Sequence, residues 1–139
     1  MTPDQIRSVQ DSFAPVRPIR SEAAALFYGR LFALDPSARP LFADADLRAQ
    51  GDKLMGALGF VVAALGRPGA VPGAVADLAR RHAGYGVREG HYASVGEALL
   101  WTLERGLGAA FTPELRGAWA AAYGLISGAM MDAARDAAP

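Results

Sequence analysis

Apolar residues recur at intervals of three and four along most of this chain, and the stretches that carry the period are divided by proline, glycine and capping residues. Thr2-Pro3-Asp4-Gln5 is a helix start: threonine caps, proline has its φ preset for the first turn, and glutamine closes a capping box. Ile6, Val9, Gln10 and Phe13 mark the inner face of the helix that follows, which is expected to end near Pro15 and Pro18. Ser21-Glu22 opens a second helix, apolar around most of its circumference through Ala24, Phe27, Tyr28, Leu31 and Phe32, as expected of a helix wedged between others. Asp35-Pro36 repeats the cap-and-proline signal. Ser37 to Pro40 leaves room for a turn or two of tight helix before Leu41 and Phe42 enter a loop as large apolar residues.

Asp46 caps a long helix predicted from Leu47 to about Leu65, with Leu47, Gln50, Leu54, Leu58, Val61, Val62 and Leu65 as its inner row. Gly51, Gly56 and Gly59 each weaken it by up to about 1 kcal/mol relative to alanine, which predicts another backbone crossing close by. Gly66 to Gly73 reads as a loop by composition and delivers a short helix on which Val71, Val75, Leu78, Ala79 and His82 share one apolar face. That helix dissolves into Gly84 and Gly86. A fourth long helix, His91 to Leu107, follows on the stripe Tyr92, Val95, Gly96, Leu99, Leu100 and Leu103. Thr112-Pro113-Glu114 begins the last one, whose face is Leu115, Trp119, Ala122, Tyr123, Ile126 and Met130; the terminal RDAAP is expected to fray.

Alanine and leucine dominate and β-branched residues are sparse, so the class is all-α. A regular bundle would want four similar helices and short loops, whereas these are unequal. The long route from Leu65 to His82 suggests a helix laid across the opening between two layers. The 139 residues suffice for one domain, 1–139, with its own core. The absence of cysteine excludes disulfides, thiolate metal ligation and a cysteine nucleophile, so any metal chemistry here falls to histidine or oxygen ligands. Lys+Arg 14 against Asp+Glu 14 leaves no net charge and no basic block, so neither nucleic acid nor a membrane surface is an expected partner. With no signal-like start and no apolar run of about 18 residues, the expectation is a soluble, cytoplasmic protein.

Two residues do not fit a plain core. His82 points inward from an apolar face, where it either hydrogen-bonds both ring nitrogens or gives one to a metal or cofactor. Gln50 stands in an apolar row, where an amide costs desolvation unless it faces a polar ligand or lies at the wet end of the stripe.

Four segments, in this order, carry a likeness: FYGRLF…RPLF (Phe27 to Phe42), AQGDKLM (Ala49 to Met55), RRHAGYGV…HYASVGEALLWTLERGLG (Arg80 to Gly108) and AWAAAYGLISG (Ala118 to Gly128). Over nearly its whole length the chain resembles a single-domain bacterial globin, related to the globin domain of flavohaemoglobins and to the neuroglobin-like group. The resemblance implies a globin fold, a three-over-three sandwich of helices crossing at about 50° around one haem b, iron protoporphyrin IX. On it His82 matches the proximal histidine that binds iron, its other nitrogen held by a backbone carbonyl near Leu78 or Ala79. Phe42 matches the phenylalanine that stacks on haem, Tyr28 the distal tyrosine, Gln50 the polar residue of the distal helix, and Leu54 the apolar residue one turn on. Ala24 and Gly51 match the small pair at which the second and distal helices cross.

The same resemblance implies that Lys53, Arg80 and Arg81 lie within reach of haem propionates, Lys53 foremost. Tyr85 and Val87 line the loop beneath the haem edge, and Tyr92, Val95 and Leu99 form the proximal floor. In flavohaemoglobin-type globins a glutamate joins the proximal tyrosine and histidine; here Ala134 aligns with it, and Asp132 faces about 200° away from that direction. His91 matches nothing at the iron and is expected at the exposed start of its helix.

Three functions compete. The first is reversible binding of dioxygen, carbon monoxide and nitric oxide, with Tyr28 and Gln50 donating to the partially negative ligand. The second is a nitric oxide dioxygenase that relies on a separate flavin reductase, because no glycine-rich dinucleotide fingerprint occurs before Pro139. The third is a haem-free helical regulatory module in which His82 serves stability alone. Either a monomer or a homodimer suits the first two.

Overall fold

The computed structural model describes residues 1–42, 46–84 and 87–137. Its α-helices are α1 (Pro3–Phe13), α2 (Arg20–Leu34), α3 (Leu47–Ala64), α4 (Val71–Gly84), α5 (Glu89–Leu107) and α6 (Pro113–Ala137), and no strand occurs among the described residues. Tight 3₁₀ segments stand at Ala14–Ile19, Pro36–Phe42, Pro68–Ala70 and Gly108–Ala110.

The caps act where the sequence places them. Thr2 Oγ1 accepts from the Gln5 amide at 3.1 Å while Gln5 Oε1 accepts from the Thr2 amide at 2.9 Å, closing the box. Asp46 accepts from the Arg48 amide at 3.0 Å and Thr112 from the Leu115 amide at 3.2 Å. Pro15 and Pro18 tighten the chain into a 3₁₀ segment that runs straight into α2, one residue ahead of Ser21.

The loop expected over Gly66 to Gly73 is shorter than its composition suggests. Helix α4 takes over at Val71, because a proline in the first turn gives up no intrahelical hydrogen bond and burial of Val71 and Val75 rewards the helical register. Helix α5 begins at Glu89, ahead of His91, and α6 runs through Ala137, into the segment expected to fray. Leu47, counted in the inner row of α3, is 38% exposed; it lies in the first turn, where the helix has not yet reached its neighbours.

Helices α1, α3 and α4 are neighbours in one layer, and α2, α5 and α6 in the other; α4 and α1 pack across α6, and α3 crosses α2. This is the three-over-three sandwich. Its core includes Val9, Phe13, Leu31, Val61, Leu65, Val75 and Trp119, and the Trp119 indole N–H donates to Ser12 Oγ at 2.9 Å. The predicted close crossing exists at Gly51 alone of the three α3 glycines: a Cβ there would stand 2.7 Å from Ala24 Cβ, whereas Gly56 faces open space and Gly59 faces the Phe13 side chain. No described helix is long and apolar enough to cross a membrane.

Candidate functional site

Helix α4 is pinned by Val71, Val75 and Ala79, all buried, and carries Leu78 and His82 half-buried in its last turns. His82 Nδ1 donates to the Leu78 carbonyl at 2.6 Å. That bond fixes the tautomer: the proton of the neutral ring is on Nδ1, and Nε2 presents a lone pair. The His82 carbonyl in turn accepts from the Val87 amide at 3.1 Å, which ties the far side of the α4–α5 corner to the histidine's own backbone.

Helix α2 supplies the second half. Tyr28 is 5% exposed, with its ring stacked on Phe32 at 6.0 Å and edge-on to Phe42 at 5.3 Å and Phe27 at 5.2 Å. Burial pushes its phenol up to about 12, so the hydroxyl keeps its proton and serves as a donor. It reaches the Gln50 backbone carbonyl at 3.4 Å, a long bond that a better acceptor would displace. The structure thus brings Tyr28, Phe42 and Gln50 together through the main chain of Gln50, and the Gln50 side chain is half-buried in the first turn of α3. Leu54 is half-buried one turn on, and with Phe27, Leu58, Leu99 and Leu103 it lines an apolar cavity of about 20 Å³ between α2, α3 and α5, a void that nothing in the sequence pattern announces.

On α5, Tyr92 and Val95 are half-buried and Leu99 is buried. Sequence reasoning placed Tyr123 in the core face and missed its bond: its hydroxyl donates to the Tyr92 carbonyl at 2.6 Å, and its ring fills the space over Gly96, where a Cβ would meet it at 2.7 Å. A tyrosine on one stripe facing a glycine on the other was the available signal. Burial raises both phenols, Tyr123 further because it is the more deeply buried and also faces Tyr92.

Lys53, Arg80 and Arg81 are exposed, Val87 is half-buried, and Tyr85 lies outside the described residues. Ala134 is half-buried, and Asp132 is exposed and paired with Arg135 at 3.2 Å, turned to solvent. His91 stands at the start of its helix but is half-buried and bonded rather than exposed: its Nδ1 accepts from the Arg88 amide at 2.9 Å, because a third-position side chain curls back to the open N–H of the cap residue.

A haem asks for an imidazole nitrogen without a proton, flat and aliphatic walls, and cations near solvent. His82 Nε2, then Phe42, Phe32, Leu54 and Val95, then Lys53 and Arg81 are residues of those kinds, and the buried Tyr28 hydroxyl with its one long bond fits a polar ligand.

The globin family model matches residues 25–130. The flavohemoprotein of Bordetella pertussis is 36% identical over 132 residues, covering 91% of this chain and 32% of that protein; the flavohemoprotein of Bordetella bronchiseptica gives the same figures. The flavohemoprotein of Rhizobium meliloti is 36% identical over 103 residues, 73% of this chain and 26% of its own length, so the chain spans about a third or less of these curated relatives. With the all-α sandwich, the histidine on α4 and this match over residues 25–130, the chain belongs to the globin family, whose members hold a haem and bind diatomic gases.

Proposed function

We propose that residues 1–139 form one globin unit that binds dioxygen reversibly, and carbon monoxide and nitric oxide at the same place, on a haem b anchored by His82. The observation that carries this reading is the Nδ1 bond to the Leu78 carbonyl at 2.6 Å, which leaves Nε2 as the ligating nitrogen. When bound, the haem supplies an iron that takes up diatomic gases. The rest falls to the chain's own side chains. Tyr28 offers its hydroxyl to the ligand as a hydrogen-bond donor and keeps its proton, Gln50 adds an amide donor at the mouth of the site, Phe42 and Leu54 exclude water, and Val95 and Tyr92 support the proximal side. Lys53 and Arg81 are assigned to the propionates, with Val87, Tyr85 and Leu78 completing the shell. The lack of cysteine suits a reducing cytoplasm, to which we assign the protein.

The test is the absorption spectrum of the purified chain after haem reconstitution, recorded ferric, reduced, and under air and carbon monoxide. A five-coordinate reduced spectrum that converts to stable oxygen and carbonyl complexes supports the reading. A six-coordinate reduced spectrum refutes an open distal side, and a chain that stays colourless refutes haem binding and leaves a helical regulatory module.

A second reading has its own support in the likeness to flavohemoproteins, which pair haem and flavin by name. Nitric oxide and dioxygen combine with one electron to give nitrate, the electron coming from a separate flavin reductase. Fast nitrate production at limiting nitric oxide, with a reductase present, would favour it over storage or delivery.

A further inference from the structure

The polar residues that the gas site leaves unused gather where the end of α2 meets the start of α5. His91 Nδ1 accepts from the Arg88 amide at 2.9 Å, and its Nε2 lies 3.2 Å from Ser37 Oγ. Because Nδ1 is the acceptor, the neutral ring carries its proton on Nε2 and donates it to Ser37. The Ser37 hydroxyl donates to Asp35 Oδ1, the Ser37 amide reaches the same oxygen at 3.1 Å, and the Ser94 hydroxyl takes Oδ2 at 3.0 Å. The Ser37 hydroxyl above all, then the Ser94 hydroxyl, the Ser37 amide and the nearby imidazole, hold the Asp35 carboxyl below the usual carboxylate range.

This circuit runs from α2 through the 3₁₀ segment Pro36–Phe42 to the corner behind His82. Arg88, whose amide His91 holds, follows Val87, whose amide holds the His82 carbonyl at 3.1 Å. An imidazolium has no lone pair, so a protonated His91 cannot accept from Arg88; the cap and the second proton exclude each other. Two charges face the ring. Asp35, from the end of α2, favours the protonated form, and the positive end of α5 opposes it. Among the described residues no ionisable side chain bonds to the ring directly; Asp35 acts on it through Ser37.

We propose that His91 is a proton-operated latch on the α4–α5 corner. Neutral, it caps α5 and fixes the backbone behind His82; protonated, it releases the Arg88 amide and turns toward Asp35. The latch is set by whether the ring carries one proton or two. It depends on the chain alone and stands whether or not the gas reading does.

Amide exchange and nitrogen-15 resonances of the full chain between pH 8 and pH 5 test it. The Arg88 amide is expected to titrate with the His91 ring, and its protection, corrected for the intrinsic pH dependence of exchange, to fall on the order of tenfold on protonation, with Val87 following. His91→Gln offers a carbonyl that accepts from Arg88 but does not titrate, so it keeps the amide protected throughout. Asp35→Asn removes the charge that favours the released state and moves the transition to lower pH. An Arg88 amide equally protected on both sides of the ring's titration overturns the latch, as does a pH transition of that amide that persists unchanged in His91→Gln.

Discussion

Gly51 and Ala24 meet so closely that a Cβ on the glycine would stand 2.7 Å from the alanine's, and this fixes how α3 crosses α2. The crossing positions the proposed gas site, since Gln50 precedes Gly51 and Tyr28 lies one turn beyond Ala24 on α2. Gly51→Ala is therefore expected to destabilise the fold by about 1–3 kcal/mol, overriding the roughly 1 kcal/mol that alanine gains in helix propensity. Gly56→Ala, with open space around it, should stabilise by about 0.5–1 kcal/mol. Urea unfolding of the two variants checks this, and two shifts of the same sign would contradict the crossing as described.

Tyr28 combines a nearly complete burial with one long hydrogen bond to Gln50. Removing the hydroxyl leaves no short bond broken, so Tyr28→Phe should change stability by less than about 1 kcal/mol. Its effect on the ligand should be larger. A lost donor worth about 1.5 kcal/mol raises the dioxygen dissociation rate on the order of tenfold, measured by stopped-flow displacement with carbon monoxide. An unchanged rate would mean that Gln50 or no side chain holds the ligand.

Alkaline titration separates buried from accessible phenols. Tyr28 is raised to about 12 and Tyr123 is raised as well, both by burial. In the unfolded chain these groups lose protons near pH 10, so it binds fewer protons than the fold between the two values. Their contribution is complete below about pH 10 and is lost as pH rises through the folded values, roughly 2–3 kcal/mol for Tyr28. The 295 nm absorbance of phenolate should show Tyr28 and Tyr123 ionising late, together with loss of helical dichroism, and each Tyr→Phe variant should lose one late phenol. A fold that keeps its dichroism while all four tyrosines of the sequence titrate near pH 10 would exclude this burial.

Much of this was legible in the sequence because helices announce themselves locally. Thr2, Asp46 and Thr112 cap through their own neighbours, and the faces led by Val9, Leu31, Val75 and Trp119 are buried as their spacing requires. The Leu78 carbonyl was readable as the partner of His82 once the resemblance assigned one ring nitrogen elsewhere, because the acceptor sits one turn back on the same helix. What stayed hidden joins positions distant in sequence. Tyr123 to Tyr92, Ser94 to Asp35 and Ser37 to His91 depend on how two helices are set against each other, and no periodicity within one helix reports that. The glycines of α3 show the same limit: their count predicted a crossing, but only the fold tells Gly51 from Gly56.

His82 tests the site and its tautomer together. Its Nδ1 bond to Leu78 is made within one helix, and the ring is only half-buried, so His82→Ala should leave the fold within about 1–2 kcal/mol of the parent while removing the anchor for haem. Helical dichroism and the unfolding midpoint report the first effect, and the Soret band after reconstitution the second. His82→Gly with added imidazole then decides what the protein contributes beyond a cavity. Free imidazole can ligate but is not tied to the Leu78 carbonyl, so it should restore a five-coordinate reduced spectrum with an iron–nitrogen stretching frequency different from that of the parent. Restoration with the parent's frequency would show that the Leu78 bond does not tune the ligand. Failure to restore any spectrum, in a variant that still folds, would mean that the other walls, from Phe42 to Val95, do not hold a haem by themselves.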